Sequence, residues 1–482
     1  MPAELRMVAD LLGLQATATR DVGSIDLAAP DLHAVFVSAD GHDEAKALGR
    51  ALRLLTATHL GDYGVLLGLV AAHEAVAITM RSELEARKLP VDNVVTLRPT
   101  AAEFARKLRA HEAGPSVGPT LVKGHQPDAA DAILIRRAFH EFESVVLTEE
   151  SGGFSRECRV WKVEAFAPGA AVYSAFVAKA ALRGDLEREF STYRAFVRDI
   201  IPFPFRAPLV EHRFVRGAKR ALLVSAFVPR AQRLDIYLKS ASSAEFVIVS
   251  LFEGALGNWR RKPETVTIDL GAHYVLQQKN SPASALLYNP DRLAEAFADS
   301  QRDEGVQSPE AIWATLEQLP YKATCVCLNH GDLNLRNVFV RWNSIDTVLI
   351  DYDKCGTKES LARDPAKLET SIALVASDAN DQPMSADDLR ALYAPPLLPA
   401  RPQSFDGIRQ DGRCDAIRQI RKQAAGEGIA TAEYQILVIC HLLRFAAKPT
   451  NTHPPDQVMR DRRALSYTLA CQLLAHTERL LA

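Results

Sequence analysis

The segment Cys325–Asp353, CVCLNHGDLNLRNVFVRWNSIDTVLIDYD, concentrates residues whose types and spacing could do chemistry. Asp332 follows His330-Gly331, Asn337 comes five residues later, and Asp351 closes the apolar run Val348-Leu349-Ile350. A loop carboxylate can orient an attacking hydroxyl. An amide oxygen and a second carboxylate can hold Mg²⁺ against phosphate oxygens, so these three groups meet the needs of phosphoryl transfer. Taken singly, Asp and Asn are ordinary turn residues. Their placement argues for more. A strand leads into the loop, a hairpin turns at Asn343-Ser344, and a second strand ends on Asp351.

Phosphoryl transfer also needs groups that hold the phosphates, and the chain upstream offers them. In Ser151-Gly-Gly-Phe-Ser155, Gly152 and Gly153 let backbone N–H groups approach phosphate closely, and Ser155 adds a hydroxyl. A plain hairpin turn is the other reading of these glycines. Tyr173–Lys179 reads as a strand with Lys179 on the face of Ala175 and Val177, where an ammonium needs an anionic partner. The helix that follows carries the apolar stripe Leu186, Phe190, Tyr193 and Val197, with Glu187 and Glu189 among its acids. After the Pro-rich break at residues 201–208, Leu209–Val215 and Ala221–Val228 read as two strands around Arg216-Gly217.

This succession over residues 145–375 resembles the kinase-like phosphotransferases, and within them the aminoglycoside phosphotransferase and choline kinase branch, whose loop reads HGD. The resemblance implies an α+β bilobal protein-kinase-like domain with a helical C-terminal lobe, using ATP and Mg²⁺. It implies that Gly152, Gly153 and Ser155 cover the phosphates and that Lys179, held by Glu189, positions them, with Glu187 as second choice for that pairing. Backbone at Ala226 and Val228 would meet the adenine, Asp332 would act on the acceptor hydroxyl, and Asn337 and Asp351 would bind the metal. The third glycine of the protein-kinase loop is missing. Asn334 stands where the branch often has His, and Arg336 points to charge neutralisation at the phosphoryl group. Asp364 matches an acid that the family uses near the loop, and a helix N-cap is its alternative reading.

The first 125 residues have a different pattern. His33–Ser38, Val65–Val70 and Asn93–Leu97 read as strands, and Ala3–Leu14, Asp43–His59, Glu74–Lys88 and Ala101–His111 as helices. Alternation of this kind predicts a parallel α/β sheet. Pro30-Asp31-Leu32 before a strand and Arg98-Pro99 after the last one resemble a response-regulator receiver domain. The phosphoacceptor position of that family would fall in apolar Val35-Phe36-Val37, and Asp40 and Asp43 lie near the strand end without partner acids. The resemblance therefore implies a degenerate receiver-like module that docks a protein partner or senses. The Gly/Pro-rich Gly114–Asp128 reads as a linker.

The expected domains are 1–125, receiver-like; 126–235, the kinase-like N-lobe; and 236–482, the C-lobe with its helical C-terminal region. Balanced counts of 57 basic and 59 acidic residues argue against nucleic acid or an anionic membrane as partner. No apolar run reaches the length of a membrane span, and MPAELRMVAD lacks the pattern of a signal peptide. Seven scattered cysteines without a CxxC read as reduced thiols, and the whole reads as a cytoplasmic protein. The basic cluster Asn258–Lys262 reads as a solvated surface or a contact for an anionic substrate. Two functions follow: an ATP/Mg²⁺ phosphotransferase acting on a hydroxyl-bearing acceptor, or a pseudokinase scaffold that binds nucleotide without turnover.

Overall fold

In the computed structural model, the described part of the first 120 residues is five strands and the helical residues Ile78, Ser82 and Ala86. Residues 121–482 are described apart from 151–157, 171–172, 217–219, 281–289, 301–304, 344–345, 357, 376–383, 399–410 and 448–456. The chain forms two compact units. One comprises Met1–Ser191 with Ala207–Phe227, the other Thr192–Arg206 with Val228–Ala482. The second begins earlier than the expected C-lobe and also takes the chain around the Pro-rich break.

The N-terminal strands are β1 (Gln15–Ala18), β2 (Val22–Asp26), β3 (His33–Ser38), β4 (Val65–Val70) and β5 (Val94–Leu97), in sheet order β1-β2-β3-β4-β5. The three expected strands are present and run parallel to one another. The all-parallel expectation is corrected by β1 and β2, which pair antiparallel with each other and with β3. Their sequences, QATA and VGSID, are short and rich in Ala, Gly and Ser, which carry little strand preference. Three of the expected helices, and Asp40 and Asp43, lie outside the described residues. Ile78, Ser82 and Ala86 fall within the fourth helix, Glu74–Lys88.

The six-stranded sheet of the first unit has the order β10-β11-β9-β8-β7-β6. Its strands are β6 (Leu121–Gly124), β7 (Ser144–Glu149), β8 (Arg159–Phe166), β9 (Tyr173–Leu182), β10 (Val215–Arg216) and β11 (Arg220–Ala226). β6 corrects the linker reading, because Leu121–Gly124 pairs parallel with Ser144–Leu147. Helix α1 (Ala129–Ala138) follows, capped by the Asp128 side chain. Period-two alternation decides what each face of the sheet meets. Trp161 and Val163 of β8 and Ala178 and Ala180 of β9 join Leu134 and Ile135 of α1 in one core. The opposite face carries Ala181, Ala221 and Leu223 against Leu186 and Phe190 of α2 (Arg183–Thr192). Leu186, Phe190, Tyr193 and Val197, the expected stripe, are all buried, and the helix runs on through a π turn at Tyr193–Val197.

The expected strand Leu209–Val215 is instead a 3₁₀ turn at Glu211–Arg213 followed by the two-residue β10. Arg213 causes the departure. It is buried, donates to the Ala138 carbonyl that ends α1, and lies 5.1–5.2 Å from the rings of Phe139, Phe142 and Phe176.

The second unit is mostly helical with two small sheets. β12 (Ala231–Arg233) pairs with β15 (Val338–Arg341), which pairs with β16 (Thr347–Leu349). β13 (Glu264–Asp269) pairs with β14 (Lys322–Leu328), and β14 with β17 (Lys358–Ser360). Short helices α3 (Leu234–Ser240), α4 (Glu245–Val249) and α5 (Gly257–Arg260) follow, with a π segment at Ser250–Ala255 between the last two. Then come α6 (Leu270–Asn280), α7 (Pro290–Ser300) and α8 (Pro309–Gln318). The C-terminal layer is α9 (Arg363–Leu374), α10 (Ala386–Leu392), α11 (Gly412–Gly426), α12 (Thr431–Ala446) and α13 (Gln457–Leu481). α9 packs on α11 and α12, and α12 on α13.

Buried arginines close this layer by satisfying helix-terminal carbonyls. Arg462 donates to Leu374 O, Arg463 to Ala446 O and Arg413 to Ile372 O. In the basic cluster, Arg260 is buried and donates to Leu361 O and to Glu427, so that residue is structural. All seven cysteines are free thiols.

Candidate active site

In the first unit, β9 places Lys179 between Val160 of β8 and Leu223 of β11, on the α2 face. Glu189 lies one turn after Leu186 on the buried face of α2, which aims its carboxylate at that strand. Lys179 Nζ donates to Glu189 Oε2 at 2.8 Å. Glu189 is buried and Lys179 a quarter exposed, so the ammonium keeps access to a second anion. Glu187, the second choice, is engaged elsewhere, accepting from Arg183 at 2.9 Å and Arg216 at 3.2 Å.

Gly152, Gly153 and Ser155 lie outside the described residues. At the expected adenine contact, the Ala226 N–H donates to Pro208 O at 2.9 Å, which leaves its carbonyl as the group that could face a base. Val228 belongs to the second unit.

In the second unit, the loop after β14 is fixed from three directions. Asp364, near the start of α9, accepts the backbone N–H of His330 at 2.7 Å and of Gly331 at 3.1 Å. The N-cap of α9 is Ala362, so the capping reading of Asp364 is overturned. His330 is buried, and its Nε2–H donates to Ile350 O at 3.0 Å. Gly331 has φ 76°, and a Cβ there would sit 2.4 Å from Lys354 O, so this turn accepts only glycine.

Downstream, Asn334 and Asn337 both donate side-chain N–H to Asp332 O, at 3.0 and 2.9 Å. Ile350 N–H donates to Asn337 O at 3.1 Å, tying the loop to the chain that carries Asp351. Asp351 itself has φ 63°, left-handed backbone that is uncommon for a residue with a Cβ. Because the Asn337 nitrogen is committed to Asp332 O, its oxygen is turned the other way. An amide oxygen and a carboxylate are ligands of the type Mg²⁺ takes, so Asn337 and Asp351 fit that ion. Among the described residues, no group of three or more His, Cys, Asp or Glu is placed to hold a metal.

The side chain of Asp332 faces cations. Lys354 Nζ is 3.5 Å from Oδ2 and Lys367 Nζ is 3.6 Å from Oδ1. Burial alone would raise the Asp332 pKa. Lys367, Lys354 and Arg444 outweigh it and hold the carboxyl well below the usual carboxylate range. Asp332 is therefore an anion at every physiological pH. Arg336 is not among these cations. It is half-buried, and burial and Arg233 pull its pKa down while Asp235 acts the other way.

Sequence reasoning missed Lys367 and Arg444. The available signal was helical spacing, since Lys367 lies one turn after Arg363 and Asp364.

Residues 287–392 match the lipopolysaccharide kinase (Kdo/WaaP) family. The match takes in Asp332, Asn337, Asp351, Asp364 and Lys367, and neither Lys179 nor Glu189. No curated protein matches the chain. Among solved structures, the chain is similar to aminoglycoside phosphotransferase APH(3'')-Id from Streptomyces rimosus. Identity is 18%, coverage 66% of this chain and 99% of that one, and the TM-score 0.38. Plasmodium vivax ethanolamine kinase gives 10%, 78%, 95% and 0.38 for the same quantities. A macrolide 2'-phosphotransferase type I gives 13%, 70%, 90% and 0.34. No described helix is long and apolar enough to cross a membrane.

Proposed function

We propose that the chain is an ATP- and Mg²⁺-dependent phosphotransferase that moves a γ-phosphoryl group to a hydroxyl of its acceptor. The observation carrying this reading is the loop geometry. Asp364 clamps two successive backbone N–H groups ahead of Asp332, and Asn337 bonds back to the Asp332 carbonyl. A reacting carboxylate must be held to a fraction of an ångström, and this bonding supports such rigidity.

In this reading Asp332 orients the acceptor hydroxyl by accepting its hydrogen bond. Asn337 and Asp351 would hold Mg²⁺, which neutralises phosphate charge. Lys179, braced by Glu189, takes phosphate oxygens, with Gly152, Gly153 and Ser155 covering them. The Ala226 carbonyl and the backbone of Val228 serve the adenine. Residues 1–125 would be a receiver-like module for a protein partner.

The test is incubation of the full chain with γ-labelled ATP and Mg²⁺, in water alone and with simple polyol acceptors. Mg²⁺-dependent release or transfer of label is expected. Tight nucleotide binding without either would make the chain a pseudokinase, and no nucleotide binding would overturn the reading altogether.

A further inference from the structure

Helix α5 turns three successive side chains toward backbone carbonyls of other segments. Asn258 Nδ2 donates to Ile200 O at 2.8 Å, Trp259 Nε1 to Phe196 O at 2.8 Å and Arg260 Nη2 to Leu361 O at 2.9 Å. Trp259 is buried. All three residues, and Phe196, lie outside the family match at 287–392.

The Phe196 carbonyl can be held because its helix changes there. In an α-helix it would accept the Ile200 N–H, but after the π turn at Tyr193–Val197 that N–H goes to Val197 O at 3.2 Å. A carbonyl released in this way needs another donor, and the Trp259 indole is one.

Held by its carbonyl, Phe196 lays its ring against Gly356, which has φ 96° and no room for a Cβ beside that ring. Gly356 ends the turn that Asp351 opens, and this turn is folded onto the HGD loop. The Gly356 N–H donates to Asn329 O at 3.4 Å, the Cys355 N–H to Tyr352 O at 3.2 Å, and the Tyr352 and His330 rings lie 5.7 Å apart. Asp351 itself has φ 63°, a left-handed conformation that its surroundings must enforce.

We propose that Trp259 is a positioning residue for Asp351: through Phe196 and Gly356 it fixes the turn that aims this carboxylate. The proposal rests on the phosphotransferase reading only for what Asp351 then holds, a Mg²⁺ ion on nucleotide phosphates.

Two measurements on the full chain test it, for wild type, Trp259→Phe, Phe196→Leu and the double variant. Trp259→Phe keeps an aromatic ring and loses the N–H, whereas Phe196→Leu keeps the carbonyl and loses the ring. The first measurement, amide hydrogen exchange by mass spectrometry, needs no ligand. Each single variant should speed exchange in a peptide covering residues 351–356 by at least about five-fold, with α12 and α13 unchanged. The second is a Mg²⁺ titration at fixed ATP, read as nucleotide binding. Each single variant should raise the half-saturating Mg²⁺ concentration about five-fold and leave metal-free ATP affinity within about two-fold of wild type. The double variant should match the larger single effect, because both act through one chain of contacts.

Unchanged exchange at 351–356, equal acceleration in α12 and α13, unchanged Mg²⁺ half-saturation, or additive effects in the double variant would overturn the proposal. Either single variant decides the matter if the other fails to fold. A wild type that binds no nucleotide would instead count against the phosphotransferase reading, and the exchange measurement would still decide whether Trp259 fixes the turn.

Discussion

Asp364 accepts the backbone N–H of His330 at 2.7 Å across 34 residues of sequence, with the Gly331 N–H on its other oxygen. Both donors are buried with it. Asp364→Ala would leave two buried N–H groups without acceptors, at about 1–3 kcal/mol each. The expected outcome is a clearly lowered melting temperature together with loss of turnover. Asp364→Asn, which keeps one acceptor oxygen, should fall between. A stable Asp364→Ala variant with wild-type turnover would show that the loop does not depend on this clamp.

The Gly331 position gives a second prediction. Gly331→Ala meets both a left-handed φ and a backbone oxygen at 2.4 Å, neither of which a side-chain rotation relieves. Gly169 has φ 69° with nothing within 4 Å, so Gly169→Ala carries the conformational cost alone. Thermal or urea unfolding should show a loss of about 1 kcal/mol for Gly169→Ala and at least twice that for Gly331→Ala. Equal losses would mean that the loop relaxes around the new methyl.

Much of this site was legible because its signals are local. The spacing Asp332, Asn337 and Asp351 is a property of one loop and one hairpin, and strand periodicity put Lys179 on a face where it needs an anion. The family resemblance, not periodicity, preferred Glu189 to Glu187 as that partner. Lys367, Arg444 and His441 were not legible. They sit on helices whose packing partners are set by the tertiary fold, and each reads singly as a solvated charge. β6 was hidden because Leu121–Gly124 follows a Gly/Pro-rich run and its strand pairing with β7 is remote. The strand expected at Leu209–Val215 failed because the inward turn of Arg213 to aromatic rings outweighs local strand preference.

Two groups make the pH behaviour testable. Burial, Lys367 and Arg444 lower the folded pKa of His441 well below 6.5. As pH falls below 6.5 the unfolded chain takes up a proton that the folded chain refuses, so stability declines from there toward the lower folded value. His441→Gln should flatten that part of the melting-temperature profile. Asp332 is lowered from 3.8 despite its burial, so the stability it contributes is present above 3.8 and lost only as pH falls through its lower folded value. An acid limb in turnover that lies above pH 3.8 and disappears in Asp332→Asn would contradict this assignment.

The two helix acids separate pairing from proximity. Glu189→Gln removes the partner of Lys179, whereas Glu187→Gln disturbs only Arg183 and Arg216. Nucleotide titrations should show Mg-ATP affinity lowered by about ten-fold for Glu189→Gln and within about two-fold of wild type for Glu187→Gln. The reverse order would mean that Lys179 is not the phosphate-facing cation.

The central claim is that Asp332 serves the acceptor and Asp351 the metal. ATP titrations with and without Mg²⁺, plus label transfer, for wild type, Asp332→Asn and Asp351→Asn test it most directly. Asp332→Asn should keep Mg-ATP affinity nearly intact while turnover drops by roughly two or more decades. Asp351→Asn should weaken Mg²⁺-dependent binding as well as turnover, because a metal-ligand carboxylate is gone. Wild-type binding indifferent to Mg²⁺ and to Asp351, with no turnover for Asp332→Asn to abolish, would contradict the account.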